Sequence, residues 1–375
     1  MVKSGTDRQA LVTVVGGGIA GCAACLALAE RGVPAAWIAS GTVASDKPGE
    51  SLAAAAVDLL AELGVAALLA DPAHRQAQVS FTSWGSGALL ERHAAAQPGG
   101  LGHVLDRGRF EADLHAAVRR RPGVQAIDGE LQDFERSATG WTLEIGTGER
   151  IGTRVLIDAT GRRARIGRQL SAQHRLDRLI AAYGVLRPVA DDVDPTPATL
   201  VEAVEEGWWY ASLLADRRLV LNFYSDPDLM PRRIGNDGLV WRQSVERTRY
   251  ISRWIDTAGY ALSEPARLAT AGTAWLDDAA GEDWLAVGDA AASFDPLSAH
   301  GMTTALWTGM RAGEAAVRVI AGDVSAPANY AAQVHAGREH FRREREAIYS
   351  REIRFRDHEF WRRRQGALHR PASGY

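Results

Sequence analysis

Leu11-Val12-Thr13-Val14-Val15-Gly16-Gly17-Gly18-Ile19-Ala20-Gly21 starts as a short apolar run and ends in a GxGxxG spacing. A brief run of this kind predicts a strand buried on both faces of a parallel sheet. Each spaced glycine then has its own task. Gly16 permits the tight turn, Gly18 lets a pyrophosphate approach the backbone, and Gly21 lets helix and strand pack closely. A helix over residues 19–31 follows, stopped by Gly32. Its first turn, with Ile19 and Ala20, points free N–H groups at the phosphates. Residues 35–39 read as the second strand. Strand, glycine turn, helix and strand together predict an α/β chain opening on a Rossmann-type dinucleotide-binding fold.

An acidic residue usually ends the second strand and holds the adenosine ribose. Here that position is Ala39, followed by Ser40. Ser40 becomes the candidate ribose contact, and a modest dinucleotide affinity is expected.

Working outward, residues 110–120 form an amphipathic helix, with Phe110, Leu114 and Val118 on one face. Residues 131–145 read as antiparallel strands broken at Thr139-Gly140. Residues 180–188, 207–213 and 218–224 read as further antiparallel strands, and 239–257 as one long helix. The Ala-rich stretch 53–70, which carries Asp58 and Glu62, reads as a soluble helix. Residues 284–287 return to the parallel sheet, and a helix spans 301–320. Residues 330–364 are charged and helical. The acidic stretch 191–197 reads as a linker.

The 375 residues carry a net charge of -3. Nucleic-acid binding is not expected, because such proteins usually show a basic excess. No stretch is long and apolar enough to predict a membrane span, and the expected compartment is the cytoplasm. Cys22 and Cys25 form a CxxC inside the first helix, without the further ligands that a metal site needs. They read as packing residues, and no metal is expected. All but two of the basic residues are arginine, the exceptions being Lys3 and Lys47.

Two later motifs sharpen the reading. Val155-Leu156-Ile157-Asp158-Ala159-Thr160-Gly161 and Gly288-Asp289 each follow a short apolar run. With the early GxGxxG, their order and spacing resemble the FAD-dependent aromatic hydroxylases, which share the glutathione-reductase type of fold. The resemblance implies FAD as cofactor. Asp158 and Gly161 would lie at the cofactor, Asp289 would bond the ribityl chain, and Arg107 would contact the cofactor from a helix start. The segment Asp295-Pro296-Leu297-Ser298-Ala299-His300-Gly301-Met302 would form the flavin loop, with Pro296, Leu297, Gly301 and Met302 at the flavin. Asp295 is either part of that loop or an N-cap. His300 is a candidate acid or base, or a packing or surface histidine.

Pro48-Gly49-Glu50-Ser51-Leu52 brings the flavin-dependent halogenase branch and its relatives into view. In that resemblance Glu50 is a candidate catalytic group and Ser51 a cofactor contact. A plain helix start capped by Ser51 is the other reading. Tryptophan halogenases need a lysine near the substrate and a W-x-W-x-I-P motif. Neither is evident here, and Gly207-Trp208-Trp209-Tyr210 does not fit the motif. Halogenation is therefore disfavoured. The G-E-S-L, the Ser83-Trp84-Gly85 segment, the W-W-Y strand and the tail Phe360-Trp361-Arg362-Arg363-Arg364 are similar to the flavoprotein maturases of tryptophylquinone enzymes. That tail either packs over the first domain, contacts a partner, or is a charged helix end.

The expected fold is therefore a Rossmann-type FAD domain (8–75, 100–178 and 268–328), an antiparallel-sheet substrate domain (76–99 and 179–267) and a C-terminal helical tail (329–375). The expected activity is monooxygenation of an electron-rich aromatic ring. The substrate is either a Trp residue of a partner protein or a small aromatic molecule, such as a natural product. Trp84, Trp209 and Tyr210 are candidate substrate contacts, or else core. Electrons would come from a flavin reductase or NAD(P)H. An O₂-independent reductase or dehydrogenase and a non-catalytic escort of a partner oxidase are the rival readings.

Overall fold

The computed structural model describes residues 7–41, 48–189 and 196–365. Lys3, Lys47 and most of the acidic linker lie outside the described residues.

The opening motif folds as its apolar run demands. Asp7–Val15 lies between Ala35–Ala39 and Arg150–Asp158, parallel to both. Val124–Asp128 extends this sheet beyond Ala35–Ala39, and Trp284–Ala286 beyond Arg150–Asp158, again in parallel. Every residue of Ala35–Ala39 is buried, as expected for a strand covered on both faces. Leu131–Ser137 and Gly140–Ile145 form the expected antiparallel meander on Arg150–Asp158.

The helices Ile19–Glu30 and Gly301–Ile320 pack in close contact on this sheet. A Cβ on Gly309 would stand 2.2 Å from the Ala20 carbonyl oxygen, so only glycine permits the approach. Cys22 and Cys25 are buried in the same layer. The Ala-rich stretch is shorter than expected. A helix covers Ala56–Glu62 and a 3₁₀ turn Ala66–Ala70. Gly64, at φ +67°, breaks them apart.

A second sheet of seven strands runs in the order Arg267–Thr270, Ile180–Leu186, Leu219–Ser225, Gly207–Leu213, Ala198–Val204, Val79–Ser83 and Leu90–His93. The sequence reading lacked Ala198–Val204, which follows the linker directly. The helix expected over 239–257 is two helices, Gly238–Glu246 and Tyr250–Thr257. The cause is Glu202, a buried carboxylate on the missed strand. It accepts the backbone N–H groups of Arg249, Tyr250 and Ile251 at 2.6, 2.9 and 2.9 Å. Three N–H groups committed to one side chain mark a new helix start.

These two helices cover one face of the second sheet, burying Trp209, Phe223 and Trp241. The other face meets the C-terminal helices Ala326–Ser350 and Glu359–Gln365 around Trp208, Tyr224, Tyr349 and Trp361. The Phe360–Arg364 cluster therefore packs on the second sheet rather than over the first domain, whereas Tyr330 and Val334 at the start of Ala326–Ser350 sit in the core of the first. Arg364 is held by Asp226 at 2.7 Å and lies over the Phe360 ring, while the Trp361 indole donates to the Val204 carbonyl at 2.8 Å. Among the described residues no helix is long and apolar enough to cross a membrane.

Candidate active site

A cavity of about 410 Å³ lies between the glycine turn of the first sheet and the inner face of the second. One wall is backbone. Gly16 sits at φ +126°, and a Cβ there would come within 2.1 Å of the Ala159 carbonyl. A Cβ on Gly21 would come within 2.1 Å of the Gly16 carbonyl. Close packing is expected at Gly21; Gly16, expected to permit the turn, is closely packed as well. Gly18 differs: its φ is -74°, and a Cβ would meet nothing within 4 Å. Ile19 and Ala20 continue this wall, and no side chain caps the helix start. Gly161 and Gly301 also line the cavity with open space before them. An uncapped helix N-terminus with open glycines beside it fits a pyrophosphate.

Arg107, Asp289, Pro296 and Met302 stand on the wall as expected. Arg107 opens the helix Arg107–Arg119, bonds Glu111 at 2.6 Å and donates to the Gly49 carbonyl at 2.9 Å. It thereby ties that helix to the G-E-S-L segment. Glu50 and Ser51 both line the cavity. The Ser51 and Tyr210 hydroxyls are 2.7 Å apart. Glu50 is 2 % exposed, and burial pushes its carboxyl above the usual range. Burial likewise raises the Tyr210 and Tyr224 phenols, which stay protonated.

Other expectations need correction. Asp158 does not line the cavity. It is fully buried, accepting Thr160 N–H and O–H and the N–H groups of Ile166 and Gly167 at 2.6–3.0 Å. Its work is to hold the turn that presents Ala159 and Gly161. His300 is exposed and precedes the helix whose Gly301, Met302 and Ala305 face inward, so it is not placed for acid–base work there. Leu297 turns into the apolar cluster of Trp208 and Tyr349. Ser40 is exposed and off the cavity wall. The neighbouring strand instead places Asp128 beside Ala39 in register, where it pairs with Arg119.

Asp295 is an N-cap and also lines the cavity. It accepts the Leu297 N–H at 3.0 Å and also the Tyr349 hydroxyl at 2.7 Å and Arg345 Nε at 3.3 Å. The Trp208 indole donates to that Tyr349 hydroxyl at 3.1 Å. A chain of bonds therefore joins the second sheet, the C-terminal helix and the Pro296 turn.

The aromatic wall is built from other residues than expected. Side chains on a strand alternate between faces, so Trp209 and Tyr210 cannot share one. Tyr210 faces the cavity, and Trp209 packs against Phe223 and Trp241 on the far face. Trp84 donates to the Ile348 carbonyl at 2.9 Å and packs on Trp361. The lining residues that sequence reasoning missed are Trp208, Asn222, Tyr224 and Arg162. Trp208 stacks on Tyr224 at 4.0 Å, and alternation from Tyr210 pointed to it. Arg162 pairs with Asp289 at 3.3 Å.

Comparison with known proteins agrees with this architecture. A model of the tryptophan halogenase family matches residues 91–373. The chain is 25% identical to LodB of Marinomonas mediterranea, named an FAD-dependent oxidoreductase, over 94% of this chain and 95% of that protein. It is 30% identical to a menaquinone reductase of Mycobacterium tuberculosis, over 82% of this chain and 76% of that protein. The solved structure of QhpG, a peptidyl tryptophan dihydroxylase essential for tryptophylquinone cofactor biogenesis, superposes with a TM-score of 0.78 at 22% identity. That match covers 96% of this chain and 79% of QhpG.

Proposed function

The chain belongs to the tryptophan halogenase family and is an FAD-dependent oxidoreductase, and from that premise we propose that it is a monooxygenase that hydroxylates an electron-rich aromatic ring, the indole of a Trp residue in a partner protein. The observation that carries this reading is the pairing of two walls in one cavity. The glycine turn, Asp289 and the Pro296 turn suit the dinucleotide, and the stacked Trp208–Tyr224 pair suits a flat ring opposite them.

Bound and reduced, the flavin supplies two electrons, so that one atom of O₂ enters the ring and the other leaves as water. The chain's own residues supply binding and exclusion of water. The helix start at Gly18–Ala20 would hold the pyrophosphate, and Asp289 the ribityl chain. The Pro296 turn and the start of Gly301–Ile320 line the cavity, where their backbone N–H groups and positive dipole end would favour a flavin that gains negative charge on reduction. Burial raises the affinity of the Glu50 carboxyl for a proton, and its place on the cavity wall would let it exchange a proton there.

The test is turnover of Trp-containing peptides and small indoles with FAD, a reductant and ¹⁸O₂, read by mass spectrometry. Product carrying label from O₂ supports the reading. A halogenated product in chloride or bromide would overturn it. The menaquinone reductase likeness favours a second reading, an O₂-independent reductase, which predicts undiminished turnover under anaerobic conditions.

A further inference from the structure

The stacked pair on the cavity wall is the inner end of a longer run of rings. Tyr224 and Trp208 stack at 4.0 Å, and both line the cavity. The Trp208 indole donates to the Tyr349 hydroxyl at 3.1 Å, and that hydroxyl donates to Asp295 at 2.7 Å. The Tyr349 ring lies 5.9 Å from the Trp84 ring and 5.9 Å from the Trp361 ring, which are 5.1 Å from each other. Trp361 is fully buried, whereas Trp84 is partly exposed. Rings that can be oxidised therefore follow one another from the cavity wall to the surface.

Packing accounts for rings here but not for this choice of rings. Phenylalanine or leucine fills a core without a polar atom to satisfy. The run holds only tryptophan and tyrosine, with Phe360 to one side. Its middle member, Tyr349, also has the partner that oxidation of a phenol requires, a carboxylate in hydrogen-bond contact that can take the proton. The direction of use follows from the rings themselves. Indole and phenol yield an electron only to a strong oxidant, so the run is unsuited to charging a resting flavin. It suits the removal of an oxidising equivalent left in the cavity when O₂ is activated and no substrate receives the oxygen.

We propose that Trp208, Tyr349 and Trp84 form a route by which one-electron oxidising equivalents leave the cavity for the surface. An oxygen-derived oxidant in the cavity takes one electron from Trp208. Tyr349 replaces that electron and passes its phenolic proton to Asp295. Trp84 then gives an electron to Tyr349, the proton returns from Asp295, and Trp84 loses its indole proton to solvent. A soluble thiol restores Trp84 with one electron and one proton, and two thiols so oxidised couple into a disulfide. The protective role rests on the monooxygenase reading; the route itself rests only on flavin bound in this cavity.

The experiment uses light, because photoexcited flavin is a strong oxidant that needs neither O₂ nor substrate. FAD-saturated protein is flashed under anaerobic conditions with and without glutathione. Flavin fluorescence reads the first electron transfer, and transient absorption reads the tryptophan radical and the return of the electron. In the wild type the fluorescence should be quenched, and glutathione should capture the radical and slow the electron's return several-fold. Trp84→Phe, which keeps a ring in place and leaves the cavity wall intact, should retain the quenching and lose the glutathione effect. Tyr349→Phe should retain the quenching and return the electron several-fold faster. Unquenched flavin in the wild type, or a glutathione effect that survives Trp84→Phe together with an unchanged return in Tyr349→Phe, would overturn the route. Reduced protein exposed to O₂ without substrate should then carry added oxygen at Trp84 in peptide mass spectra, and oxidation confined to Trp208 and Tyr224 would overturn the protective role. A route seen with light, in a protein that forms no ¹⁸O-labelled product, would sink the monooxygenase reading and leave the route standing.

Discussion

Tyr349→Phe removes one hydroxyl and with it two buried bonds. One is the 2.7 Å donation to Asp295, the other the 3.1 Å bond accepted from the Trp208 indole. A bond to a charged acceptor contributes about 1.5–3 kcal/mol, and a buried donor left without a partner costs about 1–3 kcal/mol. Asp295 keeps Arg345 and the Leu297 N–H, which limits the loss to about 3 kcal/mol. Unfolding entropy of about 2.1 cal/mol/K per residue gives roughly 0.8 kcal/mol/K for 375 residues. The melting temperature should therefore fall by about 4 °C. Because Asp295 caps the Pro296 turn, FAD affinity should fall as well, by several-fold. Thermal unfolding by circular dichroism, with and without FAD, and flavin titration read both effects. A shift under about 1 °C with unchanged FAD affinity would refute the claim that the C-terminal helix braces the turn.

Three further outcomes are expected. Gly18→Val should leave the melting temperature of the FAD-free protein unchanged, since its φ suits any residue and the space is open, yet weaken FAD binding by more than about tenfold. Gly16→Ala, with φ +126° and a backbone clash, should instead prevent normal folding, as seen in soluble yield and circular dichroism. Glu202→Ala should lower stability by about 3 kcal/mol, seen as a lower urea midpoint with unchanged slope, because three N–H groups lose their acceptor. For Glu50, the folded carboxyl holds its proton to higher pH than the unfolded one. Its contribution is thus fully present below the ordinary carboxylate range and is lost as pH rises through the elevated folded value. Glu50→Gln removes that dependence, so melting temperatures from about pH 4 to about pH 8 should fall more for the wild type than for the variant.

The cofactor half of the molecule was legible because its chemistry is backbone chemistry. Gly16 and Gly21 are required by close backbone packing and Gly18 keeps the wall open, and a five-residue apolar run announces a buried strand. The substrate half was less so. Trp209 and Tyr210 were read together, although alternation puts them on opposite faces, and Trp208 was left out. Asn222 carries no local signal at all. It acquires meaning only when the strand register sets it across from Tyr210. The break between the two helices after residue 246 depends on Glu202, a side chain more than forty positions earlier. Asp158 was assigned from a motif, and tertiary packing turned it to the loop backbone; His300, left open between an acid–base and a surface role, is exposed.

The bond from Tyr349 to Asp295 also has a bearing on how the protein is made. The glycine turn at Gly16–Gly21 is synthesised more than 300 residues before Tyr349, whose hydroxyl steadies the Pro296 turn. At about 5–20 residues per second, the interval between the two would leave the proposed phosphate site without its flavin cradle for roughly 15–65 s. Tight flavin capture therefore belongs to the completed chain, and a product truncated before Tyr349 would be released without a competent cradle.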